Sequence, residues 1–252
     1  MRVCSKSTGS TLWEGFLDLV YPGMCRGCGD GIKSQRAFCV RCSDWIASLR
    51  APFCRTCGEE FDGQVDGEFD CPNCKGLKFS FEFARPAVPN NLAVLDLIHQ
   101  LKYLRKIDLA EELAHIAERA FREDPRFEEV LDQRWPLVPV PLHQRRQRWR
   151  HFNQAEEIVR PLAGLTDLPV CNALRRDRST GSQTRLTRSQ RLKNLKGAFA
   201  LTEGGQQLAS EHPGGVVLVD DVFTTGATSD ECASVLRKGG VQKVVVVTVM
   251  RG

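Results

Sequence analysis

The sequence predicts an α/β protein, a parallel sheet flanked by helices, with a small zinc-binding domain in front of it. Two apolar, β-branched runs, Val216–Val219 and Val244–Met250, have the composition of buried parallel strands. A helical pattern between them ends at Gly239-Gly240 and makes a strand–helix–strand unit. The chain has 252 residues, 42% of them hydrophobic, which is enough for two domains. We place these at residues 1–78 and 79–252.

The first segment of the chain, Thr11–Tyr21, has apolar residues at helical spacing and ends at Pro22-Gly23. It is short and has no basic face, so we expect it to pack on the next domain rather than to anchor the chain at a membrane. No apolar run reaches the roughly 18 residues of a membrane span. No apolar signal region follows the first basic residues, and we therefore expect a cytoplasmic protein.

Four Cys-x-x-Cys pairs follow, and each can offer two thiolates to one tetrahedral zinc ion. Eight thiolates make two Cys4 sites, which are closed and therefore structural rather than catalytic. Four regular pairs do not fit redox cysteines, of which one pair is the usual number. We pair them in sequence order, although interleaved pairing fits the spacing as well. The two predicted zinc sites are Cys25/Cys28/Cys39/Cys42 and Cys54/Cys57/Cys71/Cys74.

The charge of this zinc-binding segment bears on nucleic acid binding. Residues 1–78 hold equal numbers of basic and acidic side chains, and each Zn(Cys)4 site adds two negative charges. A segment that is net acidic makes a poor non-specific clamp for DNA. A local basic patch of Arg36, Arg41 and Arg50 remains as an alternative.

The transition to the second domain is predicted as an edge strand followed by two helices. Alternating phenylalanines in Phe79–Phe83 are typical of such a strand, which Pro86 and Pro89 would close. Leu92–Leu101 has helical spacing with Asn90 as its cap, and Leu109–Ala120 predicts the second helix.

A short strand, Leu137–His143, runs into a turn, and a helix is predicted to start in Phe152–Ala155. Between them lie four arginines within six residues. Ligands of open parallel sheets bind at the carboxyl ends of strands, so an anion bound here is the favoured interpretation. A solvated charged surface is the alternative. The arginines are Arg145, Arg146, Arg148 and Arg150.

The most basic stretch of the chain is Leu174–Phe199, with Asp177 as its only acidic residue. It is rich in Ser, Thr, Gly and Gln, which predicts a mobile loop rather than a strand. A basic loop of this kind would close over a diphosphate and exclude water, or would contact nucleic acid phosphates.

The strand that begins at Val216 ends in two adjacent carboxylates, Asp220 and Asp221, followed by the hydroxyl-rich turn Thr224–Thr228. Thr228 and Glu231 have capping-box spacing, which predicts a helix start. Backbone N–H groups at a helix start and threonine hydroxyls suit a phosphate. The carboxylates suit ribose hydroxyls, or Mg²⁺ that bridges those hydroxyls and a diphosphate. No Gly-Lys-Ser/Thr follows, so the turn is not a Walker A loop.

Val-Val-Leu-Val-Asp-Asp-Val-Phe-Thr-Thr-Gly-Ala-Thr resembles the motif with which type I phosphoribosyltransferases bind 5-phosphoribosyl 1-diphosphate (PRPP). The whole chain resembles the ComF family, the competence protein F homologues, which joins a double zinc ribbon to a type I phosphoribosyltransferase domain. Besides the cysteines, the blocks that carry the resemblance are Ile98–Tyr103, Val138–His143, Arg150 with Phe152–Ala155, and Arg178–Phe199.

The resemblance implies a type I phosphoribosyltransferase-like sheet that binds PRPP with Mg²⁺. Position by position, it gives the ribose contacts and the catalytic role to Asp220 and Asp221. The 5-phosphate would lie on Thr224, Thr225, Gly226, Ala227 and Thr228, and the diphosphate on the loop Val140, Pro141 and Leu142. It places Arg178, Gln183 and Arg191 on a flexible loop over the ligand.

Two positions depart from related patterns. The ComF family usually has glycine where this chain has His151, and histidine is costly if that position needs a positive φ. Purine salvage enzymes have an Asp-Thr-Gly variant whose carboxylate lies near the base, and here Thr224 takes that place. No general base is therefore evident.

The function that this resemblance implies is phosphoribosyl transfer to an acceptor that the sequence does not identify, linked to DNA uptake. The alternative is a non-catalytic module that senses PRPP or handles single-stranded DNA during transformation. Its partners would be single-stranded DNA and DNA-uptake proteins. Stacking aromatics are sparse near the basic stretch, where Trp149 and Phe152 are the nearest.

Overall fold

The computed structural model describes residues 23–32, 36–65, 67–178, 195–212 and 214–252. The chain divides into two compact units, residues 1–46 and residues 47–252. The second cysteine tetrad therefore belongs to the larger unit, and the domain boundary after residue 78 stays a prediction. The predicted helix Thr11–Tyr21 lies outside the described residues.

The smaller unit is built around the first cysteine tetrad. Strands β1 (Gly23–Met24) and β2 (Gly31–Ile32) form an antiparallel pair. Helix α1 (Val40–Trp45) follows, and the Cys39 side chain at its start accepts a hydrogen bond from the backbone N–H of Cys42. This hydrogen bond at the start of α1 helps to hold the Cys39 side chain in position.

The larger unit contains the remaining strands and helices. Its strands are β3 (Ala84–Val88), β4 (Leu137–Pro139), β5 (Leu174–Arg176), β6 (Phe199–Leu201), β7 (Val216–Phe223) and β8 (Val244–Arg251). Its helices are α2 (Leu92–Leu104), α3 (Leu109–Glu123), α4 (Glu128–Asp132), α5 (Gln144–Arg150), α6 (Gln154–Thr166), α7 (Glu203–Glu211) and α8 (Ala227–Lys238), with a 3-10 turn at Pro125–Phe127.

Four of these strands form a parallel sheet in the order β3-β8-β7-β4. The apolar residues Val216–Val219 and Val244–Met250 are buried. A parallel sheet has helices on its faces, so central strands must be apolar on both sides. This confirms the predicted α/β class and both predicted strands, which extend to Phe223 and Arg251.

The first strand of the sheet differs from its prediction. It is β3, Ala84–Val88, rather than Phe79–Phe83. Pro86 lies inside it instead of closing it, and Pro89 follows its last residue. An edge strand tolerates proline because one side of it makes no ladder hydrogen bonds. Phe79 and Phe81 stack on each other at 4.8 Å between ring centroids instead of alternating across a sheet.

Two helix boundaries and one additional helix differ from the sequence prediction. Asn91, not Asn90, caps α2 and accepts hydrogen bonds from the next two backbone N–H groups of the helix. The arginine-rich segment forms its own short helix, α5. Helix α8 begins after Gly226, whose left-handed backbone precedes the predicted cap Thr228. The predicted end of α8 at Gly239 is confirmed.

The basic stretch Leu174–Phe199 is not entirely a loop. Its two ends form β5 and β6, which pair antiparallel as a separate two-stranded sheet. Arg176 on β5 is buried, and its guanidinium lies 5.2 Å from the centre of the Phe199 ring on β6. Residues 179–194 lie outside the described structure, so the predicted mobile loop stays a prediction.

The second cysteine tetrad shares a core with the sheet. Its four cysteines are buried in the same cluster as Phe81, Ala84 and Val246. The backbone N–H of Ala84 also donates to the carbonyl of Thr56 at 2.9 Å. The packing of the second tetrad is thus continuous with that of the sheet.

In the described part of the chain, every helix is too short or too polar to cross a bilayer.

Candidate functional site

The first cysteine tetrad lies in the smaller unit. Its four sulfur atoms lie within 4.8 Å of one another, and the Sγ atoms of Cys28 and Cys39 are 3.8 Å apart. Four sulfurs about 2.3 Å from a tetrahedral zinc would be about 3.8 Å apart, so the spacing fits zinc. Burial opposes ionisation of Cys25, but backbone N–H groups, chiefly those of Cys39, Cys28 and Gly27, lower its pKa to about 6. Cys28 is exposed.

The second cysteine tetrad lies in the larger unit, and all four of its members are buried. Its sulfurs also lie within 4.8 Å of one another, with 3.6 Å between those of Cys57 and Cys71. Each tetrad consists of pairs that are consecutive in the sequence, which confirms sequential pairing and excludes the interleaved alternative. The protein has two zinc sites, which are Cys25/Cys28/Cys39/Cys42 and Cys54/Cys57/Cys71/Cys74.

The two adjacent aspartates lie near the carboxyl end of strand β7 in the parallel sheet. Asp221 is 3% exposed, whereas Asp220 is only partly buried. Lys102 Nζ is in contact with Oδ2 of Asp221, and Gln154 Nε2 donates to Oδ1 of Asp221 at 3.2 Å. The backbone N–H of Asp221 donates to Oδ1 of Asp220 at 2.9 Å. Both oxygens of Asp221 are thus engaged by side chains of other elements.

The two carboxylates have different acidities. Burial and the neighbouring Asp221 raise the pKa of Asp220 well above its usual range. Burial opposes ionisation of Asp221 too, but the ammonium of Lys102 outweighs it and holds the pKa of Asp221 below its usual range. Asp221 is the member of the pair that is charged at lower pH. Asp220 is the member that gains most from a bound cation.

A cavity of 560 Å³ opens above this acidic pair. Its size is within the range of small-molecule sites. Four cationic side chains reach it against two carboxylates, so the cavity favours an anionic ligand. The lining residues include Lys102, Tyr103, Val140, Pro141, Leu142, Arg146, Trp149, Arg150, Gln154, Arg176, Asp220, Asp221, Thr224 and Thr228.

The threonine-rich turn lies between strand β7 and helix α8. Thr224 and Thr228 line the cavity, and Thr225 Oγ1 accepts from the backbone N–H of Ala227 at 3.5 Å. Gly226 has φ +77°, and a Cβ at this position would lie 2.8 Å from the ring of Phe223. The turn therefore requires glycine both for its backbone angle and for its close approach to the strand.

The loop after strand β4 meets the acidic pair from the next strand of the sheet. The backbone N–H of Val140 donates to the carbonyl of Val219 on β7 at 2.9 Å. The Asn153 side chain donates to the carbonyl of Val140 at 3.1 Å, which fixes the loop to the start of α6. Val140, Pro141 and Leu142 line the cavity, and their role as a diphosphate loop stays a prediction.

The four arginines of α5 are equivalent candidates for anion binding in the sequence. The structure separates them: Arg150 is 7% exposed and lines the cavity, whereas Arg145 and Arg148 are exposed and outside the lining. Arg150 donates to Gln154 Oε1 at 3.0 Å and lies over the Tyr103 ring. Its buried Nε has no hydrogen-bond acceptor in the described structure.

Lys102 and Gln154 were not among the predicted site residues. Both lie in blocks that carry the family resemblance, and this was the one sequence signal that pointed to them. Helix α2 buries Val94, Leu97 and Leu101, and Lys102, the residue after Leu101, contacts Asp221. The approach of the two elements is tertiary and cannot be read from helical periodicity.

Arg178, one of the three predicted flexible-loop residues, is not part of the cavity lining. Arg178 donates to the backbone carbonyl of Lys196 at 2.8 Å, at the open end of the β5–β6 pair. Gln183 and Arg191 lie outside the described residues. Their role over the ligand stays a prediction.

His151 has φ +72° and follows α5 as its C-terminal cap. The position at which the family usually has glycine therefore does adopt a left-handed conformation here. Histidine carries the strain that glycine would avoid.

The fold and the site together define a zinc-ribbon protein whose parallel α/β sheet carries a cavity, lined by four cations, above an acidic pair. Residues 16–75 match the double zinc ribbon domain family. Competence protein F of Haemophilus influenzae is 30% identical over 235 residues, which cover 92% of either chain. DNA utilization protein YhgH of Escherichia coli K12 is 30% identical over 91% of either chain. The chain belongs to the ComF family.

The solved structure of the allosteric regulatory enzyme of purine biosynthesis is 16% identical, with a TM-score of 0.35. The match covers 56% of this chain and 26% of that one. At this score the likeness supports no conclusion about the function.

Proposed function

We propose that the cavity above Asp220 and Asp221 binds PRPP with Mg²⁺, and that the protein transfers the phosphoribosyl group to an acceptor in the context of DNA uptake. The observation that carries this proposal is one cavity lined by the acidic pair, the threonine turn, the Val140–Leu142 loop and four cations. PRPP needs partners for its sugar hydroxyls, its 5-phosphate and its diphosphate. The acidic pair suits the hydroxyls, the threonine turn suits the 5-phosphate, and the loop and the cations suit the diphosphate.

The cavity contains an oxygen donor of the kind that Mg²⁺ prefers. Asp220 lines the cavity, and no cation of the described residues forms an ion pair with it. One carboxylate together with ligand oxygens and water is the kind of set that Mg²⁺ accepts. When bound, the ion would neutralise charge on the diphosphate.

The transfer would proceed by displacement at the anomeric carbon. The bond between this carbon and the diphosphate oxygen breaks with its electron pair on the diphosphate, and the acceptor atom forms the new bond. Lys102, Arg150 and Arg176 lie where they would stabilise the charge that develops on the leaving group. Thr224 and Thr228 would hold the 5-phosphate and fix the orientation of the sugar.

A second candidate function, PRPP binding without chemistry, has a specific observation in its favour. The carboxylates of the cavity lining are Asp220 and Asp221, and Asp221 is already paired with Lys102. Asp220 is thus the one carboxylate left to accept a proton from an acceptor. A sensor that gates DNA handling would need the cavity but not the base.

The setting of this function follows from the relatives and the cysteines. One relative is named for competence and another for DNA utilization, so we extend a role in DNA uptake to this chain, with single-stranded DNA and DNA-uptake proteins as partners. The chain has eleven cysteines, and the eight that form the two tetrads are arranged as zinc ligands, which suits a reducing compartment and favours the cytoplasm.

The test is calorimetric titration of PRPP with Mg²⁺ into the wild-type protein and Asp220→Asn. Asp96→Asn, an exposed acid of α2 outside the cavity, is the matched control. We expect saturable binding, a loss of about 10- to 100-fold in Asp220→Asn and none in the control. Equal affinity in all three proteins would refute the site. DNA binding that depends on salt and survives saturating PRPP would favour a DNA-handling role.

A further inference from the structure

The two aspartates of the candidate site differ in what they can still bind. Both oxygens of Asp221 are engaged, one by the ammonium of Lys102 and the other by the amide of Gln154. Asp221 is 3% exposed, so a ligand hydroxyl or a metal ion could reach it only by displacing one of these groups. Asp220 is partly buried and lines the cavity. The pair is therefore not a symmetric set of ligand contacts.

Lys102 is placed in the cavity by the packing of its helix. Four apolar residues of α2 are buried, and Lys102 follows the last of them, Leu101. Its side chain is 18% exposed, which is low for a lysine. The side chain lines the cavity together with Arg150 and Arg176.

The ammonium of Lys102 carries three N–H donors, and its contact with Asp221 uses one of these donors. The others remain for an anionic oxygen of a ligand in the cavity. A lysine anchored on a buried carboxylate is held in position, so that a ligand loses less side-chain entropy on contact with it. The ion pair therefore preorganises a positive charge beside the acidic pair.

The chain Arg150–Gln154–Asp221–Lys102 connects three helices with the end of strand β7. Arg150 donates to Gln154 at 3.0 Å, and Gln154 donates to Asp221 at 3.2 Å. Asp221 thus holds two cations at the cavity wall, one directly and one through an amide. Its role is to position groups that bind ligand.

We propose that Lys102 is a resident cation of this site, held in place by Asp221, which contacts the phosphate oxygens of the ligand and reduces the dependence of binding on a divalent ion. This inference rests on the proposed function, since it requires that the cavity bind PRPP. It divides the acidic pair into Asp220, which contacts ligand and Mg²⁺, and Asp221, which is a positioning residue.

The experiment is calorimetric titration of PRPP into the wild-type protein and Lys102→Met, each in saturating Mg²⁺ and in EDTA. Lys106→Met is the matched control, because Lys106 is an exposed lysine four residues further on that pairs with Gln100 outside the cavity. We expect wild-type binding to persist in EDTA with reduced affinity. Lys102→Met should lose a further 10- to 100-fold, approximately, in EDTA and less in Mg²⁺. The control should match the wild type.

Removal of Lys102 leaves the buried carboxylate of Asp221 without its cation, and this variant can fail to fold. The double variant Lys102→Met with Asp221→Asn removes both charges and keeps an oxygen for the amide of Gln154. We expect it to fold, as judged by circular dichroism, and to show the same loss in EDTA.

The outcomes separate this inference from the proposed function. No binding of PRPP by the wild type even in Mg²⁺ would overturn both. Wild-type binding that is abolished by EDTA would leave the proposed function standing and overturn the resident-cation role. Equal affinities of the double variant and the Lys106→Met control in EDTA would overturn it as well.

Discussion

Substitution of Gly226 by alanine should destabilise the larger unit more than the same change at another glycine with a positive φ. Gly226 has φ +77°, where a Cβ costs about 1 kcal/mol. The added Cβ would also lie 2.8 Å from a ring atom of Phe223, which is 2% exposed and cannot swing into solvent. Forcing a methyl group into a packed site costs roughly 1–3 kcal/mol more. The expected loss is therefore about 2–4 kcal/mol.

The assay is urea unfolding followed by far-ultraviolet circular dichroism, with Gly197→Ala as the matched control. Gly197 has φ +69°, but nothing lies within 4 Å of where its Cβ would be. Its substitution isolates the backbone cost, about 1 kcal/mol. The same Gly226→Ala change in a Phe223→Leu background should cost less, because a smaller side chain relieves the contact.

A free energy of unfolding for Gly226→Ala no lower than that for Gly197→Ala would refute this reasoning. It would mean that the turn relaxes away from Phe223 without cost. The turn also holds Thr224 and Thr228 at the cavity, so a relaxed turn should still change PRPP affinity. Binding therefore provides a second readout of the same geometry.

Three further predictions concern strain, buried charge and zinc. His151→Gly should raise the free energy of unfolding by about 0.5–1 kcal/mol relative to His151→Ala, because φ is +72°; equal thermal unfolding of the two would contradict this. Asp124→Asn should cost about 3 kcal/mol at neutral pH, because it leaves the guanidinium of Arg85 buried without its carboxylate. Burial opposes ionisation of Asp124, but its arginine partners hold its pKa below the usual range. The contribution of Asp124 to the free energy of unfolding is therefore complete above about pH 3.9 and is lost as the pH falls through the lowered pKa. Acid should thus destabilise the variant less than the wild type. Cys57→Ser should remove one zinc and weaken hydrogen-exchange protection of strand β7, whereas Cys28→Ser should remove one zinc and leave that protection unchanged, as metal content and exchange mass spectrometry would test.

Local spacing predicted those features whose geometry is set within a few residues. The sequence predicted the apolar part of β7, the turn that follows the acidic pair and the end of α8 at Gly239. These features depend on hydrophobic periodicity, composition and glycine within a few residues. The Cys-x-x-Cys pairs were readable for the same reason. The misplaced strand at Phe79–Phe83 had an alternating pattern, but its ring stacking and the pairing of residues 84–88 with β8 are set by the sheet.

The sequence by itself determined the class of protein, the two zinc tetrads and the identity of the acidic pair, because these are properties of neighbouring residues. The tertiary structure alone decided that Lys102 and Gln154 contact the carboxylate of Asp221. It also decided that Arg150 rather than Arg145 lines the cavity. These contacts join residues 67 to 119 positions apart, for example Gln154 to Asp221 and Lys102 to Asp221. Their geometry depends on how helices α2, α5 and α6 pack in the folded chain, and no local pattern encodes that packing.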